Sequence, residues 1–336
     1  MISLVVPTLG RPSLVALLDA LAGQLGGPAG DGTADVELLL VDDRRRDAGE
    51  LAVPGALTAY TKVLTGRGAG PAAARNLGWR AARGEWVVFL DDDVVPAPDW
   101  LVRLRADLAV AGRVGGVQGV VDVPLPAHRR PTDWERGTAG LAESRWITAD
   151  MAYRRAALAA VGGFDERFPR AYREDAELAH RVRRAGWELV RGSRRVTHPV
   201  RPESRWVSLR TQRGNADDAL LRRRYGPRWR TELDLPPGRR PRHAAVTAAA
   251  AVALAAAATR AAGRRPRALG VVGGLAALGW AAGTAEFARA RIAPGPRTPD
   301  EVVTMLATSV LIPPLATVHW VRGWWRARAV AAGDGR

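Results

Sequence analysis

The chain has 336 residues, 47% of them hydrophobic and 25% charged, a balance that suits a folded protein of one large domain or two and argues against wholesale disorder. It contains no cysteine, which excludes disulfides, zinc–thiolate sites and thiol nucleophiles. The net charge of +16 is carried by arginines, with Lys62 the only lysine; it admits nucleic acid, an anionic membrane surface or anionic substrates without choosing among them.

The N-terminus enters a strand pattern at once, Ile2-Ser-Leu-Val-Val-Pro7, with no signal-peptide pattern before it. Pro12 suits the first turn of a helix on which Leu14, Leu17, Leu18, Leu21 and Leu25 recur at helical spacing. A glycine-rich loop over 26–32 leads to a second buried strand, 36–41, which ends at Asp42-Asp43. Residues 44–60 read as a surface helix or loop. Gly66-Arg-Gly-Ala-Gly70 invites a dinucleotide-loop reading, but Pro71 stands in place of the third glycine and starts a helix to about Arg83, with Gly84 as its stop. The run 86–90 is a buried strand that halts at three carboxylates, Asp91, Asp92 and Asp93. Adjacent carboxylates repel one another, so a sequence that sets three of them at a strand end points to a cation there. The bland alternative is a solvated acidic turn.

A helix over 99–111 and a strand over 114–123 follow, then a long polar connection over 124–144. Further strands are predicted at 146–153, 187–190 and 194–197, the last ending at His198, with helices at 155–161 and over the segment 173–186. The second of these has acids in its first turn and arginines in its last. Residues 205–225 read as a basic amphipathic helix. Alternating strands and helices predict an α/β fold: a Rossmann-like mixed, mainly parallel sheet sandwiched by helices.

Composition changes after about residue 230, which divides the chain into an α/β domain over 1–232, a linker over 233–243, membrane-associated helices over 244–321 and a basic tail over 322–336. The apolar stretches 244–259, 268–285 and 302–321 give two or three membrane helices. Arginines flank them all, leaving no clear positive-inside asymmetry, and Trp320, Trp324 and Trp325 form an interfacial belt. A soluble alanine-rich bundle is the alternative.

Val5-Val-Pro-Thr8, Leu40-Val-Asp-Asp43, Gly70-Pro-Ala-Ala-Ala-Arg-Asn76, Phe89-Leu-Asp-Asp-Asp93, Ala149-Asp-Met-Ala-Tyr-Arg-Arg155, Val161-Gly-Gly-Phe-Asp-Glu166 and Glu174-Asp-Ala-Glu-Leu178 with Arg181 occur in that order. Together they resemble the family 2 glycosyltransferases of the A-type (GT-A) fold over roughly residues 2–200. Leu9-Gly10, Arg44-Arg45 and Asp150 depart from the usual pattern.

The resemblance implies transfer of a sugar from a nucleoside diphosphate sugar, with UDP the expected nucleotide. The implied acceptor is a hydroxyl of a lipid-linked or cell-envelope glycan, and anomeric configuration is inverted. Pro7, Thr8, Asp42, Arg75, Asp91 and Asp92 are the candidate nucleotide-sugar ligands. Thr8 and Asp42 suit a pyrimidine base and its ribose, with a pair of turn caps as the alternative. Arg75 suits a base, a phosphate or a salt bridge. Asp93, and by resemblance His198, would hold Mg²⁺ or Mn²⁺ to offset the charge of the departing diphosphate. Asp175 is by resemblance the general base, its carboxyl depressed by the helix start; Glu174 and Trp146 are assigned to positioning or the acceptor. The expected location is the cell membrane, with the catalytic domain cytoplasmic and no nucleic-acid partner. The rival reading is a non-catalytic basic protein that binds membrane or nucleic acid, which leaves the acidic strand ends unexplained.

Overall fold

Strands and helices alternate from the first residues of the computed structural model, which describes residues 1–25, 35–44, 49–263 and 266–331. In chain order they are β1 (Ile2–Thr8), α1 (Ser13–Leu25), β2 (Val36–Asp42), β3 (Thr61–Thr65), α2 (Pro71–Ala81), β4 (Trp86–Leu90), β5 (Val95–Pro96), α3 (Trp100–Leu108) and β6 (Val114–Asp122). Then come α4 (Asp133–Ala139), β7 (Asp150–Arg154), α5 (Arg155–Val161), α6 (Glu174–Arg184) and β8 (Glu188–Thr197). The eight strands form one sheet in the order β3-β2-β1-β4-β7-β6-β8-β5. β1 runs parallel to β2 and β4, β2 to β3, and β6 to β8, while β7 is antiparallel to both β4 and β6. The predicted α/β sandwich around a mixed sheet is borne out.

Alternate residues of each strand face opposite layers. Leu4, Val6, Leu38, Leu40 and Val88 pack with Leu17, Leu18, Leu21 and Leu25 of α1. On the other face Val5, Leu39, Val41, Val87 and Phe89 meet Ala72 and Ala74 of α2 and Leu178 and Val182 of α6. Gly78 brings α2 onto the sheet, because a Cβ there would collide with Val5.

Several local expectations change. β3 is an edge strand inside a stretch with no predicted element after residue 60. The connection after β6 is partly helical, with α4 and a 3₁₀ turn at Gly140–Glu143. α2 ends at Ala81 and its stop is Ala82, not Gly84, which instead lies against Ser3. The strands predicted at 187–190 and 194–197 are one strand, β8. The loop over 26–32 and Arg45 lie outside the described residues.

The chain forms two compact units. The sheet belongs to the first, made of residues 1–124, 138–200 and 232–234; the second comprises 125–137, 201–231 and 235–336. In the second, the helix expected over 205–225 is broken into α7 (Val207–Arg210), a 3₁₀ turn (Thr211–Gly214) and α8 (Asn215–Tyr225), the break falling at Gly214, a poor helix former. The short α9 (Trp229–Glu232) precedes α10 (Arg240–Ala261), α11 (Arg267–Ile292) and α12 (Pro299–Ala331). All three long helices have the length and apolarity needed to cross a membrane.

Candidate active site

The parallel strands set the site. β1 and β2 are in register from Ile2/Val36 to Thr8/Asp42, and β4 pairs with β1 and ends at Leu90. Thr8, Asp42 and the triplet Asp91–Asp92–Asp93 therefore share the carboxyl edge of the sheet, where α/β folds bind ligands.

Each carboxylate on this edge has its own task. Asp92 is buried. Its Oδ2 accepts the Thr8 hydroxyl (2.7 Å) and the Leu9 N–H (3.3 Å), and its Oδ1 accepts the Arg11 guanidinium (3.0 Å), which pins the turn after β1 to the end of β4. Pro7 lies one residue upstream in β1, partly buried. Asp42 accepts both the backbone N–H (3.1 Å) and the guanidinium (2.7 Å) of Arg44, which hold its carboxyl below the usual range. Asp43 went unassigned in the sequence reading. It accepts the N–H groups of Gly68 (2.8 Å) and Gly70 (3.0 Å) and so clamps the glycine run that resembled a dinucleotide loop. Gly70, at φ 99°, then caps α2.

Arg75 and Asn76 emerge from the second turn of α2. Asn76 is buried and exchanges hydrogen bonds with the backbone of Phe164: its amide nitrogen donates to the carbonyl (2.9 Å) and its oxygen accepts the N–H (2.8 Å). This fixes the turn that carries Gly162 and Gly163 at positive φ. Arg75, only 2% exposed, reaches the other way and donates to Asp91 (2.7 Å) and Glu174 (2.9 Å). One guanidinium thus faces three carboxylates, because Asp175 adjoins Glu174 at the start of α6 and also acts on Arg75. Burial and the charge of Asp175 push the Glu174 carboxyl up to about 8. Asp175, partly exposed at the surface, is also raised, by burial above all. This reverses the depressed pKa expected from its helix-start position: removal from water outweighs the helix dipole here.

Trp146 sits at φ 63°, a strained conformation for a bulky residue, with its N–H donating to Gln118 Oε1. Trp146 Nε1, Tyr153 Oη, Arg75 Nε and Glu174 Oε2 are buried with no hydrogen-bond partner among the described residues. Such atoms await a polar ligand or solvent.

Two residues beyond Asp91, Asp93 Oδ1 lies 3.4 Å from His198 Nε2, both side chains being buried. His198 follows β8, and its N–H donates to the Asp122 carbonyl (2.8 Å) while Nδ1 lies 3.3 Å from the Pro199 carbonyl. With Nδ1–H donating to that carbonyl, Nε2 presents a lone pair to another acceptor, an arrangement a cation satisfies. The pair therefore fits a divalent metal. Among the described residues no third His, Cys, Asp or Glu joins it.

Behind the site, Asp150 of β7 is fully buried and accepts Arg194 Nε of β8 (2.8 Å) and Trp100 Nε1 of α3 (2.8 Å). Arg194 also pairs with Asp107 (3.2 Å). The charge that Asp150 introduces is matched within this chain by Arg194.

Residues 3–158 match the model of the glycosyl transferase family 2. The chain is 40% identical over 79 residues to the succinoglycan biosynthesis protein ExoO of Rhizobium meliloti, which is 23% of each sequence. It is 33% identical over 132 residues to the pre-mycofactocin glycosyltransferase of Mycobacterium tuberculosis, or 36% of this chain and 28% of that one. The matched segments span about a quarter of these curated relatives. Among solved structures, a mannosyltransferase from Pyrobaculum calidifontis in complex with GDP-Man and Mn²⁺ superposes with a TM-score of 0.53 at 20% identity, covering 97% of this chain and 87% of that one. That likeness is one of fold.

Proposed function

We propose, from the match of residues 3–158 to the glycosyl transferase family 2 model, that the chain is a membrane-associated inverting glycosyltransferase. It moves a sugar from a nucleoside diphosphate sugar to a hydroxyl of a lipid-linked or cell-envelope glycan. The observation that carries this reading is the cluster of Arg75, Asp91, Glu174 and Asp175 standing two residues from the Asp93–His198 pair on one sheet edge. A base and a cation site side by side are what displacement at an anomeric carbon requires.

Asp175 takes the proton of the acceptor hydroxyl as its oxygen attacks, and the bond from the anomeric carbon to the diphosphate breaks. Burial raises the Asp175 pKa, and a carboxylate that holds a proton more tightly is the stronger base. Arg75 holds Asp91 and Glu174 in place, and Glu174 keeps Asp175 company in a pair short of positive charge. Asp91 faces the sugar or ribose. Thr8, Asp42 and Pro7 line the nucleotide end, where the Asp92 hydrogen bonds fix the loop, and Trp146 lies toward the acceptor. Asp93 and His198 would hold Mg²⁺ or Mn²⁺, which when bound offsets the charge of the departing diphosphate. One base and no second nucleophile give single displacement and inversion.

UDP is the expected nucleotide, and the fold neighbour solved with GDP-Man makes GDP-sugars part of the test. Purified full-length protein would be offered both sets of donors with Mn²⁺, with Mg²⁺ and with chelator. Metal-dependent release of nucleoside diphosphate from at least one donor is expected. No release from any of them would sink the reading.

A further inference from the structure

α12 is apolar enough to pass as a third membrane span, yet its neighbours in the helical unit are not those of a span. α10 and α11 pair antiparallel along their lengths: Val246 lies against Gly283, Ala256 against Gly273 and Arg260 against Gly270. Both leave apolar side chains exposed, among them Leu254, Val271, Leu275 and Leu278. At about 1.5 Å per residue they reach roughly 33 and 39 Å, enough for a hydrocarbon core of about 30 Å.

α12 touches different company at each stage. Near its start, Glu301 accepts the N–H of Asp133 (2.9 Å). Two turns on, Thr308 (2.7 Å) and Ser309 (3.2 Å) accept Arg291 at the end of α11, and that guanidinium also holds Asp133 (2.7 Å). Thr317 meets Thr247 near the start of α10 (3.4 Å), and Trp320 lies 4.6 Å from the Arg240 guanidinium. Gly323 then packs on the backbone of Ala216 in α8, so closely that no side chain fits, and Trp324 lies 5.8 Å from Arg223. The helix passes the base of α11, then the base of α10, and runs on to α8.

The two ends of this path decide the topology. Asp133 lies in segment 125–137 and Ala216 in segment 201–231, and each of these leaves the sheet-bearing unit and rejoins it without an intervening apolar run. Neither segment can cross a bilayer, so both stay on the catalytic side. Glu301 and Gly323, about 33 Å apart along the helix, touch chain on that one side. A span would carry its ends to opposite faces.

We propose that only α10 and α11 cross the bilayer, and that α12 lies in the membrane interface on the catalytic side, its outer face against the headgroup–acyl boundary. That face is built for it. Val303, Leu306, Val310, Val321 and Trp325 are exposed and recur at helical spacing, opposite Met305, Ile312, Ala316 and Ala327, which pack inward. Arg322, Arg326 and Arg328 follow among the tryptophans, a complement to anionic headgroups. The inference rests on the membrane attachment proposed above.

The lack of native cysteine makes labelling direct. Full-length variants with one cysteine, as Ala59→Cys, as Ala262→Cys or appended after Arg336, would be treated with an impermeant maleimide in right-side-out and inverted vesicles. Ala59→Cys and the appended cysteine should label from one side only, and Ala262→Cys from the other only. An appended cysteine reached from the side opposite Ala59→Cys means three spans and overturns the proposal. All three positions on one side would instead show that α10 and α11 do not cross, removing the reading beneath it. Nitroxides on Val303→Cys, Val310→Cys and Val321→Cys give an independent depth: three equal, shallow values are expected, and a maximum at Val310 with shallow ends overturns the proposal.

Discussion

Burial holds the Glu174–Asp175 pair above the usual carboxylate range, although the Arg75 guanidinium donates to Glu174 at 2.9 Å. At the scale of single residues this sets two expectations. Asp175→Asn keeps the shape but cannot accept a proton, so turnover should fall by about 10²–10⁴ while donor binding stays near normal. Glu174→Gln should cost less, and normal turnover in both would remove the proposed base. Glu174 also predicts how stability follows pH. Its folded pKa of about 8 lies above its unfolded value of 4.5, so the fold binds that proton more tightly. The stabilisation is complete below the unfolded value and is lost as pH rises through the folded one. Denaturant midpoints of the detergent-solubilised protein should therefore fall between about pH 5 and pH 9, and the fall should flatten in Glu174→Gln. At the cation pair, Asp93→Ala should abolish metal-dependent nucleotide binding and transfer with the fold intact by circular dichroism; full activity in excess chelator would count against it. The acidic triplet was legible because carboxylates after a buried run announce themselves. Asp43 and Asn76 were not assigned roles, because their partners are backbone groups of distant turns that no spacing reveals.

Among the elements, β1, β2 and β4 were readable as continuous apolar runs, since strands covered on both faces need no alternation. β3 was not: Thr61-Lys-Val-Leu-Thr65 is a short edge strand with a charged side chain and a largely solvated surface. β8 looked like two strands because Gly192 and Ser193 interrupt it. In the folded chain the Asp107 carboxylate of α3 bridges the gap, accepting the N–H groups of Ser193 (2.7 Å) and Arg194 (3.1 Å). That stitching also holds Arg194 over Asp150, and here the elements depend on one another. Arg194→Met should leave the Asp150 charge unpaired in the core and destabilise the sheet by about 3–5 kcal/mol. Adding Asp150→Asn should recover most of that loss. If the double variant were no more stable than the single one, the pair would not be what ties β7 to β8.

At the scale of the whole molecule, the chain alternates between two units, and its composition shows only the last crossing. The alanine-rich stretches after residue 243 stand out in the sequence, but the assignment of 125–137 to the helical unit does not. That segment is joined there by Asp133, whose ion pair with Arg291 at 2.7 Å spans a sequence separation no local pattern encodes. The return of 232–234 to the sheet-bearing unit was equally hidden. There the Glu232 carbonyl lies 3.1 Å from His180 Nδ1, Arg183 pairs with Asp234 at 2.7 Å, and Leu233 is buried. A truncation meant to free the catalytic unit should therefore end after Asp234, since a cut at 232 removes two of these three anchors. Full-length protein should sediment with membranes and resist both high salt and carbonate. The chain ending at Asp234 loses α10 and α11, whose apolar side chains face outward, but keeps Arg222, Arg223 and Arg224. It should bind membranes through charge alone and leave them as salt is raised, because such attraction is screened within about 8–10 Å at near-physiological ionic strength. Retention of the truncated chain through carbonate would place a hydrophobic anchor before residue 235. Recovery of the full chain in the soluble fraction without detergent would mean that α10 and α11 cover one another's apolar faces in water, and the membrane attachment would fall with it.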